Sequence, residues 1–183
     1  MARQSDPELE ARILRAARKL WHHGGESALS MRAVAKAAGT NTPAVYRRFR
    51  TREDILRALV SSYQQQLYKI MVRCTSPLEA AESMLDFALS QPREYELIMS
   101  GLLARMTDER PNFELMSRRC AEWFGGSPKD HEGLVFALWS LVHGIASLTI
   151  TGIATRKDAT RSRRAFRKYV ETIVSKVEEL RGL

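Results

Sequence analysis

Cysteine is almost absent from this sequence: Cys74 and Cys120 are the only two. They stand at no metal-ligand spacing and form no redox pair. This argues against a disulfide scaffold and fits a reduced cytosol. No apolar run is expected to approach the roughly 18 residues that a membrane span needs. The opening residues, MARQSDPELEAR, are charged, so no signal peptide is expected. Strand-like alternation is nearly missing, and no internal repeat or low-complexity tract is visible. There is no phosphate-cradling glycine-rich loop, no His-Glu-x-x-His and no nucleophile elbow. No enzyme activity, metal or cofactor is therefore expected. His22 and His23 lack further ligands at suitable spacing and read as a polar helix end. His131, in a turn beside Asp130, reads the same way.

What is present is a globular composition, 44% hydrophobic and 27% charged. That is enough to bury a core without staples. The net charge of +8 is unevenly spread. Residues 1–60 hold 12 Lys/Arg against 6 Asp/Glu, and residues 61–183 hold 17 against 15. A third of the chain thus carries most of the excess, as a nucleic-acid-binding module does.

Helical periodicity runs through most of the rest. Leu9, Ile13, Ala16, Ala17, Leu20 and Trp21 form one stripe, ended by Gly24 and Gly25. Ser30 reads as the N-cap of a short helix, Met31 to Ala37, closed by Gly39. Asn41 reads as the next cap, with Pro43 in the first turn, where its missing amide hydrogen costs nothing. Val45 and Phe49, four apart, face inward. Thr51 begins a helix reaching about residue 73 through Leu56, Leu59, Val60, Tyr63, Leu67 and Ile70. No flexible linker follows the basic region, so this helix bridges it to the rest and its tilt can be transmitted. Pro77, Pro92 and Pro111 open helices to Ser90, Leu103 and Phe124, and GGSPKD (125–130) is a turn.

The last two helices are the most apolar. Leu134, Leu138, Leu141, Ile145 and Leu148 form one row, and Val135, Trp139, Val142, Ala146 and Thr149 a second. Ser140, Gly144, Ser147 and Thr151 form a row of small residues. The final helix continues with Phe166, Val170, Ile173, Val177 and Leu180. A helix apolar on two rows must be covered from two sides, which predicts a second copy of the chain. The expected interface is Trp139, Val142, Ala146, Phe166, Val170, Ile173 and Val177.

The stretch SMRAVAKAAGTNTPAVYRRF is a helix-turn-helix candidate. Ala35 and Ala38 are small where two helices cross, Gly39 makes the turn, and Val34, Val45 and Phe49 fill the small core. Across residues 10–60 the sequence resembles the tetracycline-repressor-like (TetR) family of bacterial transcriptional regulators. The match is carried by Ala16-Ala17, Gly24-Gly25, Ser30-Met31-Arg32, Val34-Ala35, Ala38-Gly39, Tyr46, Phe49, Thr51-Arg52-Glu53 and Ile55-Leu56. WSLVHGIASLTITG (139–152) resembles the Trp-x-x-x-His-Gly segment of one subgroup (WHG). Arg48 stands where the family often has histidine, Arg52 where it has lysine, and Thr40 where it has a small apolar residue.

The resemblance implies an all-α protein. Residues 1–50 form a three-helix DNA-binding domain, and residues 51–183 form a helical ligand-binding and dimerization domain, about nine helices in all. It implies a homodimer that represses by occupying a double-stranded DNA operator, in the cytoplasm, with no membrane partner. Arg32 then reaches a guanine edge, and Thr42, Pro43 and Ala44 form the base-facing start of the recognition helix. Tyr46, Arg48 and Arg52 contact phosphate, while Arg47 reads either a base or a phosphate. Arg12, Arg15, Arg18, Lys19 and Arg50 supply a diffuse positive field. Phe87, Tyr95, Met99, Leu103, Met106, Met116, Trp123 and Phe124 read either as plain core or as a pocket for an apolar or amphipathic effector. His143, which interrupts an apolar helix, is either a core or interface histidine or part of that pocket. A ligand-independent DNA-binding protein and a protein-interaction module remain as alternatives.

Overall fold

The structure, a computed structural model, describes residues 8–100, 110–154 and 156–180. Among the described residues it forms nine α-helices and no strand. They are α1 (Leu9–Ala28), α2 (Met31–Ala37), α3 (Thr42–Tyr46), α4 (Arg52–Met71), α5 (Pro77–Ser90), α6 (Pro92–Met99), α7 (Pro111–Phe124), α8 (Glu132–Ile150) and α9 (Arg156–Ser175). Two compact units share them, and the division falls inside α4, after Tyr63. The first unit holds α1 to α3, the start of α4, and α6; the second holds the end of α4 with α5, α7, α8 and α9.

Local chemistry sets the boundaries. Ser30 Oγ accepts from Ala33 N at 3.1 Å and Asn41 Oδ1 from Ala44 N at 2.9 Å, each satisfying an orphan amide. Thr51 and Asp54 cap α4 reciprocally, with bonds of 2.9 and 3.1 Å between side chain and backbone. Prolines stand in the first turns of α3, α5 and α7. Gly39 makes the α2–α3 turn at φ 63°, and Gly25 breaks α1 at φ 59°, a left-handed conformation that glycine accepts without strain. The expected end of the first helix at Gly24-Gly25 is therefore a break followed by one more turn. Removing the cap with Asn41→Ala should destabilise the first unit by about 1 kcal/mol in denaturant titration.

In the first unit α1 packs on α2 and α2 on α3. Ile13 and Ala17 of α1, Val34 of α2, Val45 of α3 and Ile55 and Leu59 of α4 are fully buried. In the second unit α5 packs on α8 and α9, α7 on α8, and α8 on α9. Arg163 pairs with Asp86, and Arg167 Nε donates to Glu82 Oε1 at 2.8 Å, both joining α9 to α5.

Three expectations change here. First, the stretch Pro128–Ile150 is long and apolar enough to cross a membrane, contrary to the expected absence of such a run. Its Leu134, Val135, Leu138, Val142 and Ala146 are buried inside the subunit, while most of the rest of its apolar window is not. Second, His131 is buried rather than exposed in a turn, with Nε2 2.7 Å from Gly125 O and its ring against Phe124. Third, five expected interface residues, Val142, Ala146, Phe166, Val170 and Val177, are already covered by their own subunit. The physical reason is that either apolar row of a two-sided helix can face its own core.

Both thiols are buried and unpaired. Burial pushes Cys120 up to about 12, and Cys74 is also raised, chiefly by burial. A thiol stays protonated well below such a value, and the thiolate is the nucleophile. At about pH 8, Cys120 should resist an aromatic disulfide reagent in the folded protein and react at once in denaturant.

Candidate nucleic-acid interface

No carboxylate occurs between Glu26 and Glu53, whereas six cations do: Arg32, Lys36, Arg47, Arg48, Arg50 and Arg52. Such a segment has a field of one sign, and the fold determines how much of it is displayed. In α3 the inward positions are Ala44, Val45 and, just beyond, Phe49, all buried. The helix period then turns Pro43, Tyr46 and Arg47 outward. Tyr46 is 51% exposed, a large aromatic left in the open beside two exposed arginines, Arg47 and Arg48. Thr42 lies half-buried at the first position of the helix.

On α2, Arg32 is exposed at the second position, and Lys36 is exposed one turn later on the same face. Lys36 was not among the sequence candidates. Its signal was available in the four-residue spacing from Arg32. The short elements α2 and α3, joined by the Gly39 turn, thus present cations, a phenol and a threonine with no acidic side chain of their own.

The structure corrects one candidate, Ala44, and gives another, Arg52, an internal partner. Ala44 is only 4% exposed, so its methyl packs in the small core and does not face a base. Arg52 is half-buried, and its guanidinium donates to Glu26 O at 3.2 Å and to Glu26 Oε1 at 3.0 Å. It ties the start of α4 to the end of α1, and a phosphate would have to compete with Glu26 for it. Of the diffuse-field residues, Arg18 stacks over the Tyr63 ring at 5.2 Å and bonds Ser62 Oγ.

The expected pocket residues do not gather in one unit. Tyr95 and Met99 belong to the first, and Phe87, Met116, Trp123 and His143 to the second. Phe87, Tyr95 and Met116 are buried, and Trp123 is half-buried beneath the Arg119 guanidinium at 5.0 Å. His143 is exposed on α8. Leu103 and Met106 lie outside the described residues. Of the expected interface residues, Trp139 and Ile173 are partly open, and Trp139 stacks against Phe113 at 6.2 Å.

Comparison with known proteins locates this geometry. Residues 13–59 match the family described as bacterial regulatory proteins, tetR family. Residues 78–173 match the tetracyclin repressor-like C-terminal domain. No curated protein matches the chain. Among solved structures, the protein SCO4313 is similar at a TM-score of 0.72 and 21% identity, covering 92% of this chain and 96% of that one. A single-substitution variant of TetR from Acinetobacter baumannii AYE, in complex with minocycline, is similar at 0.67 and 20%, covering 93% and 97%. The multidrug binding protein EbrR, complexed with imidazole, is similar at 0.64 and 20%, covering 94% and 93%. At these identities the solved structures establish the shared fold.

Proposed function

Because the chain belongs to the tetR family of bacterial regulatory proteins, DNA-binding transcription regulators with a helix-turn-helix, we propose that it is a homodimeric repressor released from a palindromic operator by a small molecule. The observation that carries the DNA-binding part is the capped α2–turn–α3 unit, which buries Ala44, Val45 and Phe49 and leaves Arg32, Lys36, Tyr46, Arg47 and Arg48 exposed. Residues 1–50 act as the head, and residues 51–183 as the regulatory and dimerization part. The protein works in the cytoplasm, where the DNA is.

In this reading the first turn of α3 enters the major groove. Thr42 and Pro43 offer apolar contact to a thymine methyl, and Arg32 offers a guanidinium to guanine O6 and N7. Tyr46, Arg48 and Lys36 bind phosphate and set the register without reading sequence. Dimerization uses the uncovered face of α8, where Phe136 (58% exposed) and Leu148 (47% exposed) flank Ser140, His143, Gly144 and Ser147. Tyr169 and Ile173 of α9, with Trp139, extend it. Trp139, His143 and Gly144 also carry the assignment of this half to the Trp-His-Gly subgroup.

The effector is a small apolar or amphipathic molecule held in the C-terminal part. Buried Phe87 and Met116 are candidate contacts, and two similar structures carry minocycline and imidazole. Its binding shifts the tilt of α4, by no more than its differential affinity for the two states.

The test is enrichment of a palindrome from random DNA, followed by a gel shift on that fragment at several salt concentrations. Selective binding that weakens steeply with salt is expected, because phosphate contacts release counterions. Equal affinity for every sequence would sink the reading. A molecule that raises the melting temperature should also lower operator affinity, and one that leaves it unchanged argues against induction.

A further inference from the structure

Against the end of α1 lies a buried acid that the DNA-binding surface does not use. Glu94, in the first turn of α6, is 3% exposed. Its Oε1 lies 2.8 Å from Nδ1 of His22, and its Oε2 is buried without a hydrogen-bond partner. The Tyr63 hydroxyl of α4 is likewise buried without a partner. Burial, and then the Glu94 charge, push Tyr63 up to about 12, while Arg18 over the ring opposes them. Burying a carboxylate is costly unless something holds it, and an apolar side chain would pack there at less cost.

The surrounding bonds show what Glu94 holds. Trp21 Nε1 donates to Arg93 O at 3.0 Å, and the Arg93 guanidinium donates to His22 O at 2.5 Å. Residues 21 and 22 of α1 are therefore bound by two consecutive residues of α6 through three contacts. Three residues later Gly25 turns the backbone, and Glu26 receives Arg52 from the first residue of α4. The end of α1, which leads directly into α2 and α3, is thus seated by α6 before the break and by α4 after it. His22 reads from sequence as an idle polar helix end; in the fold it is the partner of a buried acid.

We propose that Glu94 is a positioning residue for DNA binding, seating the end of α1 through His22 and so setting how α2 and α3 are presented. The proposal rests on the DNA-binding reading above. Glu94→Ala removes the bond. Glu94→Gln keeps an acceptor oxygen for the His22 N–H. His22→Ala removes the other partner.

The experiment measures operator affinity by fluorescence anisotropy for the full chain and these variants, with the binding-competent fraction fixed by stoichiometric titration. Glu94→Ala and His22→Ala are each expected to weaken binding about tenfold, and the double variant no further, since both remove one contact. Glu94→Gln is expected to stay within about twofold of the parent, because the neutral acceptor bond remains. The salt slope should stay at the parental value in all of them, since no phosphate contact is lost. Unchanged affinity in Glu94→Ala, additive losses in the double variant, or a Gln variant as weak as the Ala variant would overturn the proposal. If Glu94→Ala does not fold, His22→Ala and Glu94→Gln decide it. A parent chain that binds no DNA selectively overturns the DNA-binding reading instead, before any variant is compared.

Discussion

Gly144→Arg should convert the proposed dimer to a monomer in sedimentation velocity and lower affinity for the selected operator by about a hundredfold or more. The cause lies in the two faces of α8. Its inward face is filled by Leu134, Leu138, Val142 and Ala146, and its opposite face carries Phe136 and Leu148 in the open with Ser140, Gly144 and Ser147 among them. Small residues on a helix face let another helix come close, and an arginine there holds it away. A Cβ added at Gly144 meets nothing within 4 Å, so the subunit itself tolerates the change. Arginine is also the better helix former in mid-helix, so the isolated subunit should lose no stability, and the loss is one of assembly. One head alone forfeits the effective concentration that tethers the second head to its half-site. In the proposed dimer the half-sites would lie about 34–36 Å apart, one turn of DNA, or further for a wider operator. A chain that still sediments as a dimer would place the interface elsewhere. Phe136→Glu, one turn away from Ser140, gives an independent check on the same face.

The second large effect is expected at Arg47, whose role the sequence leaves open between base and phosphate. Arg47→Ala should weaken operator binding by about 1–3 kcal/mol if it reads a base, with relaxed preference at one position of the selected sequence. If it binds phosphate, the loss should be equal on all sequences, and the salt slope should fall by about one. Arg47 is exposed at the end of α3, one residue beyond the exposed Tyr46, so no internal packing is lost with it. A normal melting temperature alongside the weakened binding would separate contact from folding. Unchanged affinity and unchanged preference together would remove Arg47 from the interface.

The helices were legible because their signals are local. Ser30 and Asn41 cap the chain within three residues of themselves, and Pro77, Pro92 and Pro111 stand where a first turn has no amide to lose. Of the stripe Leu9, Ile13, Ala16, Ala17, Leu20 and Trp21, all are buried as the spacing requires but Leu20, which is half-buried. Val45 and Phe49 turn inward for the same reason, which leaves Tyr46 and Arg47 outward. The sequence by itself therefore determined an all-α chain, a helix-turn-helix and a segment of positive charge near its start.

What it could not determine was partnership across distance. Arg52 reads as a free cation until Glu26, far back in the chain, is placed beside it. His22 and Glu94 are separated by 72 positions and meet only because α6 returns to α1. Val142 and Phe166 read from their apolar rows as interface with a second chain, but the same rows suit a core, and the subunit buries them itself. Periodicity states that a face must be covered. Only tertiary packing, where α5 and α9 settle on α8, decides which face is covered from within and which is left for another molecule.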